Sequence, residues 1–160
     1  MHRLSYLAAG VLLLATTATA QESVQDRAVY VASANQAMAA ARAHAQKTLP
    51  DFLKLAAKPP AGTGDYKLKV AITDAHGVEH FWVTPFEAVG TRFRGVISNT
   101  PALVRSVEQG QTVDFDRSQI SDWGYIRNGR QVGSFTVCVL FQEMSQEEAD
   151  RYRRDYGFDC

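Results

Sequence analysis

An excess of charge of either sign is what this sequence most plainly lacks: 17 Lys+Arg stand against 17 Asp+Glu. So balanced a chain has no electrostatic reason to wrap nucleic acid or to lie on an anionic membrane. Long apolar runs are missing too. Leu7 to Ala15, broken only by Gly10, is well short of the roughly 20 residues a helix needs to span a bilayer. Cysteine is scarce: Cys138 and Cys160 are the only two, and they form no CxxC. There is no HExxH, no acidic loop with calcium spacing and no Gly-x-Ser-x-Gly, so no metal ligand set and no patterned nucleophile is legible. Gly110, Gly129 and Gly133 punctuate turns and do not form a phosphate loop. No cofactor and no metal is expected.

What is present begins at the N-terminus. Met1 to Arg3 is positively charged, the short apolar run follows, and Ala18-Thr19-Ala20 supplies small residues for a cleavage site. That order is a secretory signal peptide over residues 1–20, with the mature chain starting at Gln21. No cysteine follows the cut, so neither a lipid anchor nor any other stable membrane anchor is expected. Removing residues 1–20 loses Arg3 alone, which leaves 16 basic against 17 acidic residues, a net charge of −1. The 140 remaining residues (160 less 20) suffice for one domain with a real core, 21–160, in the periplasm or secreted.

Ser33 and Gln36 form a capping box, and Ala37, Met38, Ala41 and Ala45 recur at helical spacing. So narrow an alanine face predicts close packing against a sheet. Thr48 with Asp51, and Pro50 in a first turn, predict a second helix, so the reading is 34–46 and 49–56, either separate or as one bent element. After Lys58 to Gly64 the period changes to two. Residues 66–73 and 78–86 read as strands joined by a turn at Asp74–Gly77, with Pro85 at an edge or a strand end. Arg92–Ser98, Gln111–Asp116 and Gln119–Arg127 are further strands, and Asn99-Thr100-Pro101 opens a short helical turn through about Val107. Asn128-Gly129 signals a hairpin. Phe135–Phe141 is too short for its β-branched content to decide between strand and helix. Ser145 and Glu148 cap a last helix that ends at Gly157, with Glu147–Arg151 and Asp150–Arg154 as i,i+4 pairs. The fold class is α+β: a curved antiparallel sheet of five or six strands packed by N-terminal and C-terminal helices.

Two segments concentrate side chains with chemistry. Glu79-His80-Phe81-Trp82 and Asp122-Trp123-Gly124-Tyr125 hold the only tryptophans, each close behind an ionisable residue. The candidate binding residues are Glu79, His80, Trp82, Asp122, Trp123 and Tyr125, expected to form one aromatic and acidic patch. An imidazole near a carboxylate is also the raw material of acid–base catalysis, so His80 and Asp122 are the candidate catalytic pair. Alternation places Glu79 and His80 on opposite faces, with Glu79 facing solvent. His80 therefore has two readings, a catalytic one with Asp122 and a structural one under an aromatic cluster. Cys138 and Cys160, an even pair in an exported chain whose terminal helix can turn back, are expected to form a disulfide.

Lys47 to Phe52, Glu79 to Trp82, Phe93 to Pro101, Ile120 to Tyr125 and Gly129 to Thr136 together resemble the bacterial domain-of-unknown-function family 2314 (YegJ-like proteins). The resemblance runs from about Met38 to Met144. It implies a small, often exported domain without an established activity, so no catalytic residue can be carried over. It also implies a basic residue where this chain has Cys138, which would make the disulfide a feature of this chain and not of the family. The reading that results is a non-catalytic periplasmic binding protein whose partner is another periplasmic protein, in one form an immunity-type inhibitor of a toxin. The alternative is an enzyme with a site around His80 and Asp122.

Overall fold

The computed structural model describes residues 36–160, where helical spacing and alternation become three helices and six strands. The chain runs α1 (Gln36–Ala57), β1 (Thr63–Asp74), β2 (Gly77–Val89), β3 (Arg92–Ile97), β4 (Thr112–Phe115), a 3-10 turn (Arg117–Gln119), β5 (Ile120–Arg127), β6 (Arg130–Gly133), α2 (Phe135–Leu140) and α3 (Gln146–Tyr156). All six strands pair antiparallel in the order β4-β3-β2-β1-β5-β6, so the chain is α+β with its longest strands central. The signal-peptide expectation and the Ser33 cap lie outside the described residues.

The two N-terminal helices are one. Pro50 lies inside α1, and the Thr48 hydroxyl, expected to start a second helix, donates back to the His44 carbonyl at 2.8 Å. Met38, Ala45, Leu49 and Phe52 share the buried face, which lies against β5. Phe52 stacks on Trp123 with ring centroids 4.8 Å apart, and Tyr66 stacks on Tyr125 at 5.1 Å. Leu68, Val70, Phe81, Val83, Phe93, Ile97, Phe115 and Ile120 complete this face of the sheet. It is called the core face below, and the opposite one the outer face.

Pro85 departs from its expected place at an edge or a strand end, because β2 lies between β3 and β1. β2 continues through it to Val89, and the register against β3 shifts between Val83 and Phe86. A bulge is where a residue without an N–H can sit inside a sheet without breaking a ladder bond.

The turn of helix expected from Asn99 to about Val107 is absent; residues 98–111 form an irregular loop. It lies over the β2 to β4 half of the core face through Val104 and Val107. Carboxylates replace helical bonds along it. Glu79 accepts from the N–H groups of Ala102, Leu103 and Val104 at 2.8–3.2 Å, and Asp74 from those of Arg105 and Ser106 at 2.7 and 3.1 Å.

The ambiguous segment Phe135–Phe141 is helical: Gly133 and Ser134 take positive φ and end β6 before α2 begins. In α3 the Ser145 hydroxyl accepts from the Glu148 N–H at 3.2 Å, and Gly157 closes the helix at φ 72°. Asp150 pairs with Arg153 at 2.7 Å, one residue short of the expected Arg154. Phe141, Ala149 and Phe158 form a second, smaller core, and Cys138 is bonded to Cys160 with Cα atoms 5.2 Å apart. No helix among the described residues is long and apolar enough to cross a membrane.

Candidate functional site

Register decides what shares the outer face. Lys69 on β1 stands opposite Trp82 on β2 and opposite Asp122 on β5, while Ala71 stands opposite His80. Lys67, two residues before Lys69, projects to the same side. The Lys67 and Lys69 ammoniums lie 5.0 and 5.4 Å from the centroid of the Trp82 ring, within cation–π range.

His80 and β5 are separated by β1, yet they meet. The β1–β5 register shifts between Lys69 and Val70, and the irregularity brings Ser121 toward the outer face. There His80 Nδ1 lies 2.8 Å from the Ser121 hydroxyl, across the small side chain of Ala71. The same hydroxyl donates to the Lys69 carbonyl at 3.1 Å. A serine hydroxyl carries one proton, so with that proton on Lys69 the imidazole is the donor and Ser121 the acceptor. This polarity is opposite to that of a base activating a nucleophile. Burial, then the nearby charges of Lys69 and Arg42, lower the His80 pKa to about 4, so the ring is neutral at pH 7.

Asp122 is fully buried and does not bond His80. One carboxylate oxygen accepts from the Thr136 N–H at 2.8 Å and from its hydroxyl at 2.6 Å; the other accepts from the Trp123 N–H at 2.8 Å. Burial pushes its pKa up, against the opposing pull of those hydrogen bonds and of Lys69. Lys69 donates to the Thr136 hydroxyl at 2.9 Å, which links ammonium and carboxylate through one threonine. Burial lowers the pKa of Lys69, with Asp122 opposing and Arg42 adding to the shift. Burial also lowers that of Lys67, with Asp65 and then Asp122 opposing.

The expected single patch is therefore divided between the two faces. His80 and Trp82 belong to the outer face, and Asp122 lies buried between that face and α2. Trp123 and Tyr125 are in the core under α1, where the Trp123 indole N–H donates to the Ala45 carbonyl at 3.0 Å. Glu79 does not face solvent: it is buried on the core face, with its carboxylate committed to the 98–111 loop. Alternation did separate Glu79 from His80; what it could not supply was which face the loop covers. Lys67, Lys69, Ser121 and Thr136 were not singled out from the sequence. The Lys-Leu-Lys alternation of β1 was a usable signal for the first two. Ser121 depends on a bulge and Thr136 on the docking of α2, and neither leaves a sequence signature.

The arrangement offers a half-buried aromatic and cationic surface without an activated nucleophile. Among the described residues, no group of three or more His, Cys, Asp or Glu side chains is placed to hold a metal ion. The family model described as "Uncharacterized protein conserved in bacteria (DUF2314)" matches residues 35–160, all but one of which the structure describes. The chain belongs to the DUF2314 family. The uncharacterized protein YegJ of Escherichia coli K12 is 39% identical over 142 residues, covering 89% of this chain and 91% of that one. A putative ankyrin repeat protein of Neisseria meningitidis serogroup B is 33% identical over 86 residues, 54% of this chain but 34% of that protein. No solved structure matches. DUF2314 membership thus agrees with the resemblance read from the motifs, and it extends to Cys160.

Proposed function

We propose that this DUF2314 protein is a non-catalytic binding protein that acts in the periplasm after export, and that its binding surface is the outer face around Lys67, Lys69, His80 and Trp82. The observation that carries the reading is the state of the would-be catalytic groups. His80 donates to Ser121, and Asp122 is occupied by Thr136 and Trp123, so the two form no dyad. Trp82 remains half-buried beside two ammoniums, the kind of amphipathic ring that anchors interfaces. A periplasmic protein partner, in one form a toxin held by an immunity-type inhibitor, fits this surface. A toxin gene beside this one would favour that form.

The test is affinity capture from periplasmic extract with wild type and with Trp82→Ala, after near-UV circular dichroism has confirmed that both are folded. The wild type is expected to retain a partner that Trp82→Ala loses. Equal retention by both, or an activity abolished by His80→Ala, would overturn the reading. Mass analysis of the same periplasmic protein should find Gln21 at its N-terminus, and a retained Met1 would refute export.

A further inference from the structure

Lys67 and Lys69 bring two ammoniums to one tryptophan on the surface of a chain whose expected mature net charge is −1. That is a local concentration of positive charge, not part of a general basic character. Lys67 has no hydrogen bond or ion pair to a carboxylate among the described residues; its close partner is the Trp82 ring. Lys69 reaches Asp122 only through the Thr136 hydroxyl. Asp122 accepts three neutral donors and keeps its negative charge, so from its buried place it offsets part of the positive charge of the two lysines. Ser134 adds an independent sign. Its hydroxyl is fully buried and has no hydrogen-bond partner. It packs over Gly124, where the Lys67 side chain also passes, so a Cβ at position 124 would collide with the hydroxyl and crowd the lysine.

We propose that the outer face binds an oxyanion, a carboxylate or a phosphate carried by the ligand, at the Lys67 and Lys69 ammoniums beside Trp82, with the Ser134 hydroxyl as a further donor. This deepens the binding reading above and rests on it. Charge-assisted hydrogen bonds from two ammoniums are the strong kind, and burial strengthens them. The exposed Asp65, whose charge acts on Lys67, limits the site to one anionic group, because a polyanion laid along β1 would meet it.

The experiment titrates inorganic phosphate and, separately, acetate into the mature protein, with ionic strength held constant by chloride. The readouts are the backbone amide signals of Lys67, Lys69 and His80 and the Trp82 indole N–H signal. Saturable shifts confined to this face are expected, with Lys67→Gln weakening binding about tenfold, roughly 1.4 kcal/mol. The distant outer-face variant Arg92→Gln should leave it unchanged. Saturation by phosphate alone, by acetate alone or by both supports the site and names the group it reads. Shifts that chloride reproduces, or an affinity that Lys67→Gln leaves intact, would sink the proposal. Failure here with partner capture still lost in Trp82→Ala would remove only the oxyanion. Capture unaffected by Trp82→Ala would remove the binding reading itself.

Discussion

Asp122 holds three donors at once, and its neighbours depend on it for that. Asp122→Ala leaves the N–H groups of Thr136 and Trp123 without acceptors in a buried place, a loss of about 1–3 kcal/mol. The midpoint of a denaturant curve should fall accordingly. Asp122→Asn, which keeps one acceptor oxygen, should recover part of the loss. His80 makes a second prediction, in the pH dependence. Its pKa of about 4 lies below the unfolded value of 6.5, so between these two values the unfolded chain binds the proton and the folded one does not. Stability is therefore fully present above pH 6.5 and falls as pH drops toward 4, by about 2–3 kcal/mol from this group. Asp122 works in the opposite sense, because its raised pKa lets the folded state take up a proton first. The difference between wild type and His80→Asn across pH 4–7 isolates the histidine; parallel stability curves would refute its buried, neutral state.

At the scale of elements, the middle of the loop, residues 102–106, is held by carboxylates of the β1–β2 hairpin, while backbone hydrogen bonds close its two ends. Glu79→Ala strands three consecutive N–H groups, Ala102 to Val104, on a segment that contributes Val104 and Val107 to the core. A loss of about 3 kcal/mol is expected, and amide hydrogen exchange should accelerate first at those three positions. Glu79→Gln, with one acceptor oxygen, should fall between wild type and Ala. The helical turn expected here came from an Asn-Thr-Pro start signal. What outweighed that signal was a buried carboxylate that only strand register brings under the loop. α1 is a similar case. Thr48, Pro50 and Asp51 form a valid helix start, yet the helix passes through them because Met38, Ala45, Leu49 and Phe52 make one continuous buried face.

At the scale of the whole molecule, the described residues form two cores, and the smaller one around Phe141, Ala149 and Phe158 is closed by the disulfide, with Cys160 packed against it. The bond closes a span of 22 residues, which corresponds to about 3 kcal/mol in the chain-entropy picture. Reduction should lower the urea midpoint and release α3 and the tail before the sheet, seen as early exchange at Gly157 and Phe158. Simultaneous loss of both cores would show that the C-terminal unit is not separable. The tail also bonds β6 directly, the Gln131 N–H donating to the Gly157 carbonyl at 2.9 Å, and Arg130 pairs with Asp159.

The sequence by itself determined the α+β class, the strands from Tyr66 to Arg127, the Asn128-Gly129 hairpin and the α3 caps. These follow from alternation, turn chemistry and local hydrogen bonds, all of which act within a few residues. It also determined the disulfide partners, since only two cysteines were available. The tertiary structure alone decided which face of the sheet is covered. That choice buried Glu79 and Trp123, left Trp82 beside two lysines, and set Ser121 against His80. Those outcomes depend on register, on one bulge and on helix docking between residues far apart in the chain, and short-range pattern carries no record of such distances.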